Sequence, residues 1–497
     1  VAGGIDLVCD GGDPPFGDRL IVLSRLLRHE WRALAADPSL WLVIAVFAVA
    51  IAYGTFNGAR WVAFQGRAIA EAEREQAERT LKHETEIARI NREKDRVSPF
   101  ADPRNPDAVG RTLGARYAVM PPTPLAALAV GQSDLLPYYF KMTTDAKETV
   151  LAAAELENPQ RLLSGRFDLA FALIYLYPLL ILALTYNLLS AEREQGTLVL
   201  ALSQPVSLRT LLVGKLLFRL VVFTVVVLVL VAVALSIAGV EVSAATVPRL
   251  LLWMAAVALY GLFWFCVAAA VAAAGKGSAT NAMLLAAIWL VLVMLVPSAL
   301  NMAATTTYPV PSRVEMIQAM RVASDEANAE GSRLLAKYYE DHPELASGDT
   351  QQEMNDFNLV RVAVSGEVER RVRPVLDRYS EQLAGQQRLV EAARFLSPAI
   401  LMQDALNDVA GSGAARHRAF LAQVEAYHAR WRNYFVQLVF QRTQLEDYSG
   451  IPRFVFVEED LALVARRVAV SLAGLLVPAI LIAAFALHRL ARYPVVG

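Results

Sequence analysis

Residues 216–239 read LLFRLVVFTVVVLVLVAVALSIAG, a run of 24 residues in which Arg219 alone is charged. Wound as an α-helix at about 1.5 Å per residue it measures about 36 Å, longer than the roughly 30 Å hydrocarbon core of a bilayer. A helix closes its own backbone hydrogen bonds, as a lipid-embedded segment must. Strands of a membrane barrel would be about ten residues long and alternate apolar with polar, and this run does neither. Five further apolar runs repeat the pattern, so the sequence predicts six spans, at residues 39–56, 167–190, 216–239, 248–274, 279–301 and 466–488.

The bulk composition agrees. Of 497 residues 56% are hydrophobic and 19% charged, against about 25% charged in ordinary soluble domains, and the mean hydropathy is +0.38. A formal net charge of −1 leaves no basic face for a nucleic acid. Of the two cysteines, Cys9 precedes the first apolar run and Cys266 lies inside the fourth, and they build no disulfide framework. Cys9 lacks the preceding apolar stretch of a lipoprotein signal, so the first span is expected to be an uncleaved anchor.

Lysine and arginine near the span ends orient the chain. Arg19, Arg25, Arg28 and Arg32 precede span one, Arg193, Arg209 and Lys215 join spans two and three, Lys276 joins four and five, and Arg489 and Arg492 follow six. The short connection 240–247 carries Glu241 and no Lys or Arg. Both termini are therefore expected in the cytoplasm of a bacterial cell, with the protein in its inner membrane. Arg249, Arg466 and Arg467 run against this trend and are read as snorkelling to headgroups.

That topology places two long segments outside, 57–166 and 302–465. The first opens with a charged stretch, 70–97, in which Glu75/Arg79 and Glu78/Lys82 stand four apart as on an exposed helix. Its thin apolar stripe admits two readings, a solvated helix or a coiled-coil arm against a partner. Pro99, Pro103 and Pro106 end it. The second segment predicts helices over 313–339, 350–379, 380–395, 399–409 and 415–442, with breaks at His342-Pro343 and Ser347-Gly348-Asp349, a stop at Gly411-Ser412-Gly413, and a short strand or re-entry turn at 451–458. The fold class expected is an all-α polytopic membrane protein, six spans with a mainly α-helical extracytoplasmic domain built jointly from both insertions.

Catalytic chemistry is hard to place. Gly275-Lys276-Gly277-Ser278 and Gly214-Lys215 fall short of the phosphate-binding G-x-x-x-x-G-K-[S/T] loop. His417 and His428 share a helix but not a ligand spacing, and are read as surface residues rather than as a metal pair. No catalytic, cofactor-binding or metal-binding residue is assigned, and an intramembrane enzyme is the least favoured class. The connection 191–215 says more. A charged turn, Glu192-Arg193-Glu194, leads to Gly196, which permits a sharp bend. An amphipathic stretch with Leu198, Leu200 and Leu202 follows, then Pro205 and a lead-in to span three. On the residues alone this is either an ordinary interfacial loop or a short helix that docks in a partner's groove.

Glu192-Arg193-Glu194-x-Gly196-Thr197-Leu198 followed by Pro205 and Gly214-Lys215 resembles the signature of ABC-2-type transporter permeases. The six-span layout is similar, as is the amphipathic lead-in 20–36 before span one. The large insertions resemble those of a subgroup, through Pro121-Pro122-x-Pro124-Leu125, Gly131-Gln132-Ser133-Asp134-Leu135 and Asn158-Pro159-x-x-Leu162-x-x-Gly165-Arg166-Phe167-Asp168. The resemblance implies a permease without a nucleotide site of its own. It further implies partnership with two copies of an ABC ATPase that carry ATP and Mg, and with a second permease, identical or homologous. It makes Glu192, Arg193, Glu194, Gly196, Thr197 and Leu198 the ATPase-coupling residues, with Glu192, Arg193 and Glu194 in polar contact with the partner. No substrate is implied. The alternatives are an ATPase-coupled relay of motion to a periplasmic partner, and a membrane sensor or scaffold.

Overall fold

The computed structural model describes residues 28–493 apart from 29, 33, 94–96, 132, 134–135, 146–166, 204–206, 241–242, 245 and 342–356. Cys9, most of the lead-in 20–36, the 158–166 pattern, Pro205, Glu241, His342-Pro343 and Ser347-Gly348-Asp349 lie outside the described residues. In chain order the main helices are α1 (Pro38–Glu93), α2 (Leu169–Glu194), α3 (Thr197–Leu202), α4 (Leu208–Ile237), α5 (Val247–Ala272) and α6 (Ser278–Thr307). They continue as α7 (Arg313–Ala329), α8 (Gly331–Asp341), α9 (Phe357–Ala393), α10 (Pro398–Ala410), α11 (Ala414–Phe440) and α12 (Leu461–Leu490). Six of them, α1, α2, α4, α5, α6 and α12, are long and apolar enough to cross a membrane. The protein is thus an all-α polytopic membrane protein with one small sheet, in which β1 (Tyr117–Val119) pairs antiparallel with β2 (Tyr139–Lys141) and Ala118 faces Phe140.

Helix α5 is the hub of the bundle and packs against α12, α2, α4 and α10. Its Trp253, Tyr260 and Trp264 are buried. A π-turn over Ala172–Leu176 in α2 widens the helix beside it and frees a main-chain carbonyl. The Tyr260 hydroxyl donates to Ile174 O at 2.8 Å. Gly261 lets the Tyr177 hydroxyl lie against the α5 backbone, where a Cβ would collide with it.

Helix α1 does not end with the bilayer. It continues as one helix to Glu93, and its far half is neither a bare solvated rod nor an arm left for a partner. Ile87 and Ile90 are buried in the core of the insertion domain, Gln76 accepts a hydrogen bond from Tyr117 N at 2.9 Å, and the Arg79 guanidinium covers the Tyr117 ring at 5.5 Å. The opposite face stays in solvent, with Arg74 paired to Glu78 at 2.8 Å. Of the pairs expected from spacing, Arg79 instead donates to the Glu75 main-chain carbonyl at 3.2 Å. Gly54 and Gly58 stand four apart, and a Cβ on them would strike the backbone of Asp168 and Ala127; this seam brings both chain segments onto α1.

Both insertions share one core. Val109, Ala118, Phe140 and Met142 from the first pack with Phe420, Tyr427, Trp431 and Phe435 of α11 from the second. The Arg116 guanidinium is buried and donates to the carbonyls of Ile451, Pro452 and Tyr448 at 2.7, 3.1 and 3.0 Å. A second cluster joins α7 and α8 to α9 through Ala327, Leu335, Val364 and Val372. Helix α9 runs unbroken through Pro374 and past residues 379–380, where two helices were expected. Packing along its whole length outweighs the local breaker signals.

The segment 451–460 is extended and finds no partner strand among the described residues. Phe454 and Phe456 pack on the core while Val455 and Val457 face out. The Gln423 amide clamps both the N–H and the C=O of Val457 at 2.9 Å. Ahead of α10, Ser397 caps the helix and donates to Leu292 O at 2.7 Å, and Phe395 lies against Gly474. Through these two contacts residues 394–398 bridge α6 and α12.

Candidate functional site

The connection singled out by the sequence forms the end of the bundle opposite the insertion domain. Helix α2 closes on Ser190–Glu194 and the chain turns at Gly196, whose φ of +72° is left-handed. Nothing lies within 4 Å of where its Cβ would stand, so glycine is placed here by backbone conformation rather than by crowding. The short helix α3 follows, with Thr197 Oγ1 donating to Glu192 O at 3.2 Å. Ser207 then caps α4, its hydroxyl accepting from Thr210 N at 3.1 Å.

Leu198, Leu200 and Leu202 do not share a face, because residues two apart on a helix diverge. Leu198 is fully buried among Leu188, Leu211, Leu212, Ala273, Leu490 and Tyr493. Val199 and Leu200 are 51% and 70% exposed. Leu202, one turn on from Leu198, packs against the same cluster, so α3 holds two leucines inside and offers Val199 and Leu200 outside.

The three charged residues before the bend are engaged within the chain. Glu192 Oε1 meets Lys215 Nζ of α4 at 2.5 Å. Arg193 donates to Gly275 O at 2.7 Å and lies over the Tyr493 ring at 5.7 Å. Glu194 accepts from both the backbone N–H and the hydroxyl of Ser278, at 2.7 and 2.9 Å. A carboxylate at a helix N-terminus is favoured by the unpaired N–H groups and the helix dipole. The glycine-lysine fragment 275–278, which falls short of a phosphate loop in sequence, is here the turn from α5 into α6. Its helix N-terminus already holds the chain's own carboxylate. Beside it, Ser190 Oγ meets Ser278 Oγ at 2.8 Å and Asn281 Nδ2 donates to Ser190 Oγ at 3.4 Å.

Sequence reasoning gave no role at this turn to Glu30, Arg219, Ser278, Asn281 or Tyr493. Glu30, in the lead-in to α1, is 3% exposed and meets Lys215 at 3.4 Å and Arg219 at 3.0 Å. Arg219 also donates to Leu184 O. A signal was present: Lys215 and Arg219, four apart in an otherwise apolar stretch, are the ionisable residues that a membrane segment does not carry without a partner.

Elsewhere, Asp168 is more than a boundary residue. Its carboxylate accepts from Phe171 N at 2.7 Å, capping α2, and from Val130 N at 2.8 Å, tying down the first insertion. His417 and His428 are buried rather than on the surface. The first insertion covers their faces of α11, and each Nε2 meets a main-chain oxygen, of Pro137 or Asp145, at 3.0 Å. Burial holds the His417 imidazole below its ordinary pKa. Among the described residues no group of three or more His, Cys, Asp or Glu is placed to hold a metal ion.

Residues 136–295, from the end of the first insertion through α2, the bend at Gly196 and α5 into α6, match the family described as ABC-2 family transporter protein. Residues 313–457 match a domain of unknown function (DUF3526), which takes in α7 to α11 and most of the extended segment. No curated protein and no solved structure matches the chain. The matched stretch contains the bend at Gly196 together with Lys215, Gly275 and Ser278 that brace it, and over these residues the chain is similar to ABC-2 family transporter proteins.

Proposed function

We propose that this chain is the permease subunit of an ABC-type exporter, driven by ATP hydrolysis on separate ATPase subunits. The reading sets the bend at Gly196 and both termini in the cytoplasm, the insertion domain on the far side, and the protein in a bacterial inner membrane. Two permeases, identical or homologous, pair with two ATPases that carry ATP and Mg. The observation that supports it most is the α3 tip: Val199 and Leu200 project from a turn braced by Glu192, Arg193 and Glu194 onto α4, the α5–α6 turn and α6. An exposed aliphatic pair on a rigid mount is suited to a partner's groove and to receiving a push. In this reading Leu198 anchors, Gly196 sets the bend, and the three charged residues stiffen the lever rather than form the contact itself. ATP-driven closure of the ATPases then shifts the spans between inward-open and outward-open states.

The test is co-purification from the native host in mild detergent. An ABC ATPase recovered with the wild-type chain and lost with Leu200→Asp supports the reading. Glu194→Lys should keep the ATPase bound and abolish permease-stimulated hydrolysis, because it removes the cap on α6. Failure to recover any ATPase under several gentle conditions would sink the proposal in favour of a sensor or scaffold.

A second reading rests on α1, one helix running from the bundle into the core of the insertion domain. Such a rod suits a machine that relays ATPase motion to a partner on the far side without moving a substrate. Transport in sealed vesicles separates the two: ATP-dependent flux belongs to the exporter, and ATP hydrolysis without flux to the relay.

A further inference from the structure

At the bend end of the bundle four buried or half-buried charges meet from three parts of the chain. Glu30, in the lead-in to α1, divides its carboxylate between two cations of α4. Oε1 lies 3.4 Å from Lys215 Nζ, and Oε2 accepts from Arg219 Nη2 at 3.0 Å and from Arg219 Nε at 3.3 Å. The same two cations reach to the end of α2 on their other side. Lys215 meets Glu192 Oε1 at 2.5 Å and Leu188 O at 3.5 Å, and Arg219 donates to Leu184 O. Glu30 and Lys215 are 3% and 4% exposed. The four groups balance in charge, two carboxylates against two cations, so the cluster is neutral as a unit and unbalanced without any one member.

A buried ion pair contributes little net stability over an apolar pair of the same shape, because both groups give up their hydration. What it supplies is position, since the bonds are directional and any slippage strands a charge away from water. The cluster sits where the lead-in, the end of α2 and the start of α4 meet. Lys215 and Arg219 stand one turn apart on one face of α4, so each holds the lead-in on one side and α2 on the other.

We propose that Glu30 is a positioning residue that makes the described end of the lead-in, from Glu30 into α1, the end of α2 and the start of α4 one rigid transmission body. A displacement at Val199–Leu200 then reaches α4 and the lead-in together instead of being absorbed between them. Glu30 touches no partner in this scheme and acts through Lys215 and Arg219. The inference rests on the proposed ATPase coupling for its consequence, but the rigid body itself does not.

The experiment uses the full chain with Cys9 and Cys266 replaced by serine and spin labels attached at Ala36→Cys and Arg209→Cys. Distances are measured by pulsed electron resonance in nanodiscs for the wild type, Glu30→Gln, and the charge exchange Glu30→Arg with Arg219→Glu. A narrow distribution in the wild type, broad in Glu30→Gln and narrow again in the exchange, is the expected result. Equally narrow distributions in all three overturn the rigid body, as does an exchange variant as broad as Glu30→Gln. With the ATPase present, Glu30→Gln should still co-purify with it while permease-stimulated hydrolysis falls by about tenfold or more, and the exchange should restore it. Hydrolysis at the wild-type level in a Glu30→Gln complex of broad distance distribution would remove Glu30 from coupling. Absence of any bound ATPase in the wild type would instead count against the proposed function and leave the distance result standing.

Discussion

The two ends of the bundle differ in balance: buried Arg116 and Arg416 add polar bonds at the insertion end, but an aromatic core dominates it. At the insertion end a dry aromatic core, with Phe420, Tyr427, Trp431 and Phe435 of α11 at its centre, closes over α1, the small sheet and the loop before α12. At the bend end a smaller leucine and alanine cluster is overlaid by discrete polar latches: Glu192 to Lys215, Arg193 to Gly275, Glu194 to Ser278, and Glu30 to Arg219. Apolar burial is non-directional and scales with area, so the first end draws most of its stability from the area it buries. Ionic latches add little net stability and much positional definition. The contrast suits a molecule in which one end is a stable body and the other must hand on a movement without losing it.

The comparison breaks first at Trp431. Its indole is fully buried and donates to Gly110 O at 3.0 Å. Trp431→Ala should destabilise the insertion domain by about 3–5 kcal/mol. Limited proteolysis should then cut within 302–465 while the bend end, probed by accessibility of a thiol introduced at Leu200, stays as in the wild type. Parallel loosening at both ends would mean that the two are a single cooperative unit and that the contrast drawn here is empty.

Next in size is Gly58, where α1 meets the main chain of Ala127. Backbone cannot swing aside as a side chain can, so Gly58→Ala should cost about 1–3 kcal/mol and move α1 off the first insertion. A thermal melt followed by aromatic signals from the domain measures it; an unchanged melt would show that the contact relaxes freely.

A third test uses pH. Burial holds His417 below its ordinary pKa, against the opposing effect of its bond to Pro137 O. Burial likewise lowers His83 on α1, helped by Lys82 and Arg79. A histidine whose folded pKa is depressed binds its proton more readily when unfolded. Its stabilising contribution is therefore complete above the unfolded value of about 6.5 and is lost as pH falls from there through the folded value. As pH falls from 7 to 5 the melting temperature of His417→Asn should therefore fall less, or rise more, than that of the wild type. A slope equally steep in the variant would remove His417 from the account.

What the sequence made legible follows the same division. The six spans are visible because twenty apolar residues in a row have one use. The bend at Gly196 and the cap and stop of α10 at Ser397 and Gly411 are visible because those residue types have few alternatives there. The exposed tip was half legible: the run from Leu198 to Leu202 announces amphipathicity, but which leucine faces in depends on a cluster contributed by α2, α4, α5 and α12. The latches were hidden for the same reason. Glu30 and Arg219 lie 189 positions apart in sequence, and no local pattern pairs them. The unbroken α9, the burial of His417 and His428, and the bridging of α6 and α12 by residues 394–398 are likewise decided by what packs against them.

The smallest effect expected on stability is at Gly196, and it sharpens the comparison most. Its φ of +72° places the residue in the left-handed region, and no atom stands within 4 Å of its missing Cβ. Gly196→Ala therefore adds no clash and only the conformational penalty of an L-residue there, about 1–2 kcal/mol. At the insertion end a loss of that size would be absorbed by the aromatic core with no change in shape. At the bend end the chain has another way to relieve it: α3 can re-aim, carrying Val199 and Leu200 with it while the latches at Glu192 and Glu194 hold. Melting should scarcely change, yet permease-stimulated ATP hydrolysis should fall well beyond what the stability loss explains, and Gly196→Asn, which tolerates the left-handed region better, should recover part of it. If both variants stimulate ATP hydrolysis by the ATPase as the wild type does, the aim of the tip is unimportant and the bend is only a connection.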